Sequence, residues 1–328
     1  MLCPTCQADM RRFGKNRNGS QRFRCDACRK TVTDETTRPR DDRRVEQMRM
    51  MLCLRMLLEG NSVRAIERIT GVHRDTIIDA MVVLGAKCKR LLQTRLHRVP
   101  VENVQADEVW GFVGMKEKTR MRLNRPEGDY GDAYCFTAIE RTTKLLIAWH
   151  VGKRSPEDTL EFAENLRRAT TGYFQLTTDG YTPYRTMVPF VFGPRLDFAQ
   201  LVKEYRSTTE EERRYSPAEV VSIKVCIRTG SPDKDEICTS HVERHNRTIR
   251  MQIRRMTRLT DAHSKKWENH EAALALFFAY YNFCRVHLTL AERAKKEGHG
   301  NVTPAMAAGL TDEPWSVQRL IAEANRMA

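Results

Sequence analysis

The sequence predicts an α/β domain preceded by two small modules, one cysteine-rich and one helical. Three observations predict it. Four of the ten cysteines fall in two Cys-x2-Cys pairs at the N-terminus. A helix, tight turn, helix pattern follows them. From residue 101 the texture changes to strand-like segments interrupted by one amphipathic helix. A chain of 328 residues, 41% apolar, allows about two domains with a real core. Its 56 Lys+Arg against 42 Asp+Glu leave a net charge of +14. Such an excess favours a polyanionic partner, most often nucleic acid.

The first module is the most explicit. "CPTC" and "CDAC" place Cys3, Cys6, Cys25 and Cys28 around an eighteen-residue spacer, 7–24. Two knuckles at this spacing supply four thiolates to one tetrahedral structural Zn²⁺. The spacer has turn residues in its middle and strand-formers at its ends. This predicts a zinc ribbon over 1–35, with a core too small to fold without metal. The competing redox-dithiol reading does not explain two copies at ribbon spacing. Cys53, Cys88, Cys135, Cys226, Cys238 and Cys284 are scattered in mostly apolar surroundings and read as core residues. The N-terminus lacks the apolar core of a signal peptide. The longest apolar stretch, "AALALFFAYYNFC" (272–284), is too short to span a bilayer and reads as a buried helix. The expectation is a cytoplasmic protein without membrane contact, where disulfides are rare.

The polar stretch "TTRPRDDRR" (36–44) reads as a linker, and 45–90 as a DNA-binding domain. "VEQMRMMLCLRMLLEG" is a helix. In "NSVRAIERITGVHRDTIIDAMVVLG" (61–85), Ser62 is an N-cap and Gly71 opens the turn. Ala65, Ile66 and Ile69 form one apolar face, continued by Ile77, Ile78 and Met81. This is the helix-turn-helix pattern, with 74–84 as the recognition helix and Arg74 at its start. An ordinary helical hairpin would show the same pattern.

Then "VENVQADEVWGFVG", "DAYCFTAIE" and "KLLIAWHVG" read as strands. "SPEDTLEFAENLRRAT" is a helix capped by Ser155 with acids in its first turn. "YFQLTTDG" is a fourth strand, stopped by Gly180. Three strands, a helix, a fourth strand and then helices is the order of a ribonuclease-H-like domain, here 100–290. Residues 189–240 read as an irregular insertion. The chain from 241 to about 290 reads as helical, and 291–328 as a C-terminal helical tail.

A nuclease or strand-transfer enzyme holds divalent metal with carboxylates fixed at one end of a sheet. Asp107 lies mid-strand, where an acid is costly unless paired or metal-bound. Its neighbour Glu108 points to the opposite face, because side chains alternate along a strand. Asp107 is therefore the candidate and Glu108 is not. Asp179 ends the fourth strand, and Glu243 starts a helix. Each alone reads as a turn or surface acid; the three together read as a metal site.

"ADEVWGFVG", "TDGYTPY", "HVERHNRTIR" and "YNFCRVHLTL" together resemble a bacterial insertion-sequence transposase. More narrowly, the chain is similar to the family founded on insertion sequence one, in the DDE superfamily. The resemblance runs over nearly the whole chain. It implies an Asp-Asp-Glu site on Asp107, Asp179 and Glu243, binding Mg²⁺ or Mn²⁺ as two ions. It implies cleavage and strand transfer at terminal inverted repeats, with double-stranded DNA ends and target DNA as partners. It also implies a homo-oligomer on DNA and a bacterial, nucleoid-associated location. The 63 residues between Asp179 and Glu243 exceed the spacing in compact members. Glu204, Glu210, Glu211, Glu212, Glu219 and Glu236 lie in that interval as alternative third acids.

The helix "HVERHNRTIRMQIRRMTR" then has a meaning. Glu243, Arg247, Arg250 and Arg254 recur on one face at four, three and four residues. The acid would hold metal, and Arg244, Arg247, Arg250 and Arg254 would grip the phosphates flanking the cut. A solvated basic helix with an N-terminal acid is the plainer alternative. Two other functions compete with the transposase. A zinc-ribbon and helix-turn-helix regulator without catalysis needs no ordered acid set. A nuclease that hydrolyses without joining shares all of it.

Overall fold

The computed structural model describes residues 1–16, 19–34, 40–126, 128, 130–205, 220–258, 260–296 and 300–327. It is a mixed α/β protein with a cysteine cluster at its N-terminus. Strands β1 (Met10–Lys15), β2 (Gln21–Cys25) and β3 (Thr31–Asp34) form an antiparallel sheet. Its fully buried apolar residues are Cys3, Met10 and Cys25, packed by Ala8, Phe23 and Val32. So small a core cannot offset chain entropy without a further staple.

Helices α1 (Arg40–Leu58), α2 (Val63–Thr70) and α3 (Arg74–Arg95) follow. Residues 36–39 of the linker lie outside the described residues. The Ser62 hydroxyl accepts from the Ala65 N–H at 3.2 Å, and Gly71 ends α2 at φ 71°, a left-handed conformation. Cys53, Ile66 and Ile77 close a small core between the three helices. Ile69, expected on that face, is exposed instead, because an eight-residue helix touches its neighbours through Val63 and Ile66. Helix α3 also runs well past residue 84. Its second half crosses the later helix α8 (Trp267–Phe283), with Gly85 set against the backbone of Ala272.

The main sheet is built from β5 (Asn103–Val113), β6 (Gly131–Glu140), β7 (Leu146–Gly152), β9 (Phe174–Asp179), β10 (Leu196–Tyr205) and β11 (Val220–Thr229). The strand order is β11-β10-β9-β5-β6-β7. β5, β6 and β7 form an antiparallel meander. β9 joins the other side of β5 in parallel, β10 runs parallel to β9, and β11 returns antiparallel. A two-residue pair, β4 (Val99–Pro100) with β8 (Thr170–Thr171), sits apart. Short α4 (Glu117–Arg122) follows β5. Helix α5 (Pro156–Ala169) makes the crossover from β7 to β9 and packs on α6 (Tyr184–Phe192). Helix α7 (Ser240–Gln252) lies against β5 and β6, and α8 against β7.

Three readings of the sequence need correction here. The interval 189–240 is not an irregular insertion: it completes α6 and supplies β10 and β11, two strands of the main sheet. Residues 206–219, with Glu210, Glu211, Glu212 and Glu219, lie outside the described residues. The helical run from 241 breaks at Ile253, which takes an extended conformation (φ -108°, ψ 97°) before a single 3-10 turn at Arg254–Met256. The C-terminal segment is not a tail. It forms α9 (Leu288–Lys296), α10 (Pro304–Ala307) and α11 (Val317–Asn325), and Trp315 stacks on Phe283 with ring centroids 4.3 Å apart. Trp315, Leu320 and Ala324 belong to the main core. All ten cysteines are free thiols; Cys53, Cys88 and Cys135 are buried, whereas Cys226, Cys238 and Cys284 are half-buried. Among the described residues, no helix is long and apolar enough to cross a membrane.

Candidate active site

The site is built where β9 stops. Its last pairing with β5 is Thr178 opposite Ala106. The next residues, Asp179 and Asp107, therefore stand side by side on adjacent parallel strands. Carboxylate oxygens of Asp107, Glu108 and Asp179 all lie within 4.8 Å of one another. Around one octahedral Mg²⁺ with bonds of 2.0–2.1 Å, ligand oxygens are separated by ~2.9–4.2 Å, so this set needs little closure to hold an ion.

The acids are held differently. Asp107 accepts the Glu108 N–H at 2.8 Å and the side-chain amide of Asn246, on α7, at 2.8 Å. Thr137 fixes Asn246 in turn by donating to its carbonyl oxygen at 3.2 Å. Asp179 accepts from the Tyr181 N–H at 3.0 Å. Glu108 turns toward Arg154, whose guanidinium lies 3.1 Å from Glu108 and 3.7 Å from Asp179. Arg154 rests on the Tyr181 ring, 4.1 Å from its centroid, and is thereby aimed at both acids. Glu108 Oε1 and the Tyr184 hydroxyl are buried against each other at the inner edge of the site.

Burial, reinforced by the charge of Asp179, pushes the Asp107 carboxyl up to about 7. The same two causes push Glu108 up to about 8. Burial raises Asp179 as well, against the pull of the Tyr181 N–H and Arg154. Three desolvated acids that resist joint ionisation are what a divalent cation relieves.

Glu243 is not in this cluster. It lies in the first turn of α7, where its carboxylate pairs with Lys203 of β10 and accepts from the Thr239 hydroxyl at 2.7 Å. It is exposed to the cleft, and its charge still raises both Asp107 and Asp179. The start of α7 is docked by Gln105, fully buried on β5, whose carbonyl accepts from His241 N at 2.9 Å and Val242 N at 3.2 Å. Of the other proposed acids, Glu204 pairs with Lys224 and Glu236 with Arg141.

The arginines divide. Arg244 and Arg247 are exposed and line a cleft with Glu243. Arg250 is half-buried and folds back to donate to the Met256 carbonyl at 3.1 Å. Arg254 is off the helix, beyond its end at Gln252, so the single face expected for Glu243, Arg247, Arg250 and Arg254 does not exist. Instead Arg254 joins Arg74, Arg64, Lys116, Arg258 and Lys265 along a groove of about 1210 Å³ beside α2 and α3.

Sequence reasoning missed Glu108, Arg154, Gln105 and Lys203. Strand alternation does send Asp107 and Glu108 to different sides. It fails to exclude Glu108 because β9 has ended, and a carboxylate on either side can reach the gap. The doublet "DE" inside an apolar strand was the available signal.

At the N-terminus the four sulfurs of Cys3, Cys6, Cys25 and Cys28 also lie within 4.8 Å of one another, with Cys3–Cys28 and Cys6–Cys25 each 3.4 Å apart. A tetrahedral ion with Zn–S bonds of 2.3 Å separates its sulfurs by ~3.8 Å, so the cluster fits zinc. Backbone N–H groups, working against burial, bring the Cys3 thiol down to about 6 and lower Cys25, whereas Cys6 rises to about 12 and Cys28 also rises beside them, so the four do not all ionise without a cation.

No protein-family model matches this chain, and no curated protein matches it. One solved structure that resembles it is the cryo-EM structure of piggyBac transposase synaptic complex with hairpin DNA. The likeness covers 93% of this chain and 79% of that one, at 11% identity and a TM-score of 0.38. A likeness that loose carries no inference about this chain.

Proposed function

We propose that the protein is a DDE transposase, cutting and joining DNA at the terminal inverted repeats of an insertion sequence. The observation that carries this reading is the pairing of Asp107 and Asp179 on adjacent parallel strands, desolvated and sharing one site. The order of the main sheet, a three-stranded meander with parallel strands added through a helical crossover, agrees with the order expected of a ribonuclease-H-like domain and supports the same reading.

Asp107 and Asp179 would hold Mg²⁺ or Mn²⁺, with Glu243 as the third ligand. Glu243 is favoured over Glu108 for a physical reason. Glu108 is held against Arg154 with its side chain only 3% exposed, while Glu243 opens on the cleft. Release from Lys203 would free it. When bound, two ions supply activation of the attacking oxygen and stabilisation of the leaving one. Asn246 keeps Asp107 oriented, and Arg244 and Arg247 hold flanking phosphates. The Cys3, Cys6, Cys25 and Cys28 cluster would bind a structural zinc. The α2–α3 pair, with Arg74 and Arg254 on its groove, would read the DNA ends as a helix-turn-helix, in an oligomer that brings two ends together.

The test supplies the gene in trans to a marker flanked by the DNA ends bordering it in its genome. Wild type moves the marker; Asp179→Asn still binds the ends and does not. Movement by both proteins refutes the acid assignment. End binding without movement by either supports the DNA-binding regulator instead.

A further inference from the structure

A second polar cavity lies on the far side of α7 from Glu243, between the β6–β7 turn and the start of α9. Its volume is about 290 Å³. That is at the floor of the roughly 300–1,000 Å³ typical of ligand clefts, a size for a small anion rather than a whole cofactor. Lys144, His241, Arg244, Arg285, His287 and Arg293 line it, and no acid does among the described residues.

Lys144 and the three guanidiniums of Arg244, Arg285 and Arg293 share this lining with no carboxylate among the described residues to offset them. Lys144 is 4% exposed on the turn, within 3.3 Å of the His241 ring and donating to the Arg141 carbonyl. Glu140, whose charge reaches Lys144, lies outside the lining and accepts from the Thr142 and Thr143 N–H groups and the Thr143 hydroxyl. Arg285 Nη1, His287 Nδ1 and both ring nitrogens of His245 are buried without any hydrogen-bond partner. His245 is 3% exposed, braced edge-on by Tyr281 with ring centroids 4.5 Å apart. Buried polar atoms of native proteins are almost always paired. Of the orphaned atoms, Arg285 Nη1 is a donor in any state, and it sits without an acceptor beside a cavity lined by further cations. Burial first, and then the charges of Lys144 and Arg244, hold the His287 ring down to about 4, so it joins the lining as a neutral imidazole.

We propose that this cavity binds a phosphate group. A tetrahedral oxyanion offers several acceptor oxygens and the negative charge that pairs with guanidinium and ammonium donors. The cavity shares Arg244, Thr248 and Arg285 with the cleft that contains Glu243. A strand crossing α7 from that cleft would set a phosphate here. Free phosphate has the same chemistry, so the source is decided by experiment. The strand-phosphate source rests on the nucleic-acid reading; phosphate binding as such does not.

The test uses the zinc-loaded full chain and a double variant, Arg285→Gln with Arg293→Gln. Arg293 is exposed, and circular dichroism checks the fold of the variant. Inorganic phosphate is expected to raise the Tm of wild type above a chloride control of equal ionic strength, and to leave the variant unmoved. In the second arm, DNA affinity is followed against salt. A strand phosphate in the cavity makes the log–log slope shallower by about one in the single variant Arg293→Gln. A Tm response with an unchanged slope supports a free phosphate as occupant. No Tm response in wild type and no change of slope overturns the proposal. A loss of strand transfer in Asp179→Asn with the phosphate response intact would leave the cavity standing apart from the catalytic reading.

Discussion

Replacing Asp107 with Asn should stabilise the metal-free protein at pH 8 and abolish its response to magnesium. The Asp107 carboxyl moves from 3.8 to about 7 on folding. At about 1.36 kcal/mol per pH unit, the ionised folded form carries a penalty of about 4 kcal/mol. The sign follows from the direction of the shift. Below 3.8 both states are protonated and there is no penalty. It grows as pH rises toward 7, because the unfolded chain has released its proton and the folded one has not, and it is complete above 7. The side chain keeps some contact with water, and screening reduces the usable part to about 2–3 kcal/mol. Asn cannot keep both hydrogen bonds that Asp107 accepts from Glu108 N and Asn246, a loss of about 1 kcal/mol. The net gain is about 1–2 kcal/mol, or roughly 2–8 °C in the Tm of a domain this size. Scanning calorimetry at pH 8 and pH 5 measures it, with and without MgCl₂ at constant ionic strength. Wild type should rise with magnesium at pH 8, the variant should not, and the advantage of the variant should shrink at pH 5. A variant that melts below wild type at pH 8 without metal, or one stabilised equally by magnesium, refutes the argument.

Three further outcomes follow from the geometry. Asn246→Ala leaves Asp107 without its α7 donor and should lower metal affinity or strand transfer by about 10–100-fold, read as a shifted Mn²⁺ dependence of the reaction; an unchanged dependence removes Asn246 from the site. Gly85→Ala puts a Cβ 2.3 Å from the Ala272 carbonyl oxygen, so α3 and α8 must separate, at about 1–3 kcal/mol in urea unfolding; an unmoved midpoint contradicts the packing described. Cys25→Ser, or chelation of wild type, should release the zinc and open residues 1–34 to protease while the main sheet keeps its melting transition. Simultaneous loss of both would show that the ribbon supports the rest of the fold.

Much of the architecture was legible because its causes are local. Ser62 with Gly71 and Ser155 with its first-turn acids mark helix ends through hydrogen bonds made within a few residues. The segments that became β5, β6, β7 and β9 were evident from alternation and turn residues. β10 and β11 were missed although "VVSIKVCIRT" alternates. Val221, Ile223, Val225 and Ile227 face solvent on this edge strand rather than a core, so their alternation does not mark a buried face.

By itself the sequence determined the ligand types and their local spacing: two thiol pairs, an acid inside one strand, another at the end of a second, and an excess of positive charge. Those are properties of neighbouring residues and of composition. Only the tertiary structure decided which distant groups meet. It brought Glu108 and Arg154 to the two aspartates, paired Glu243 with Lys203, ended α7 before Arg254, and gathered four cationic side chains and three histidines around one cavity. The reason is physical. Desolvation and Coulomb coupling depend on distance through space, and residues 136 apart in the chain, such as Gln105 and His241, become hydrogen-bonded neighbours only when the sheet and its helices have packed.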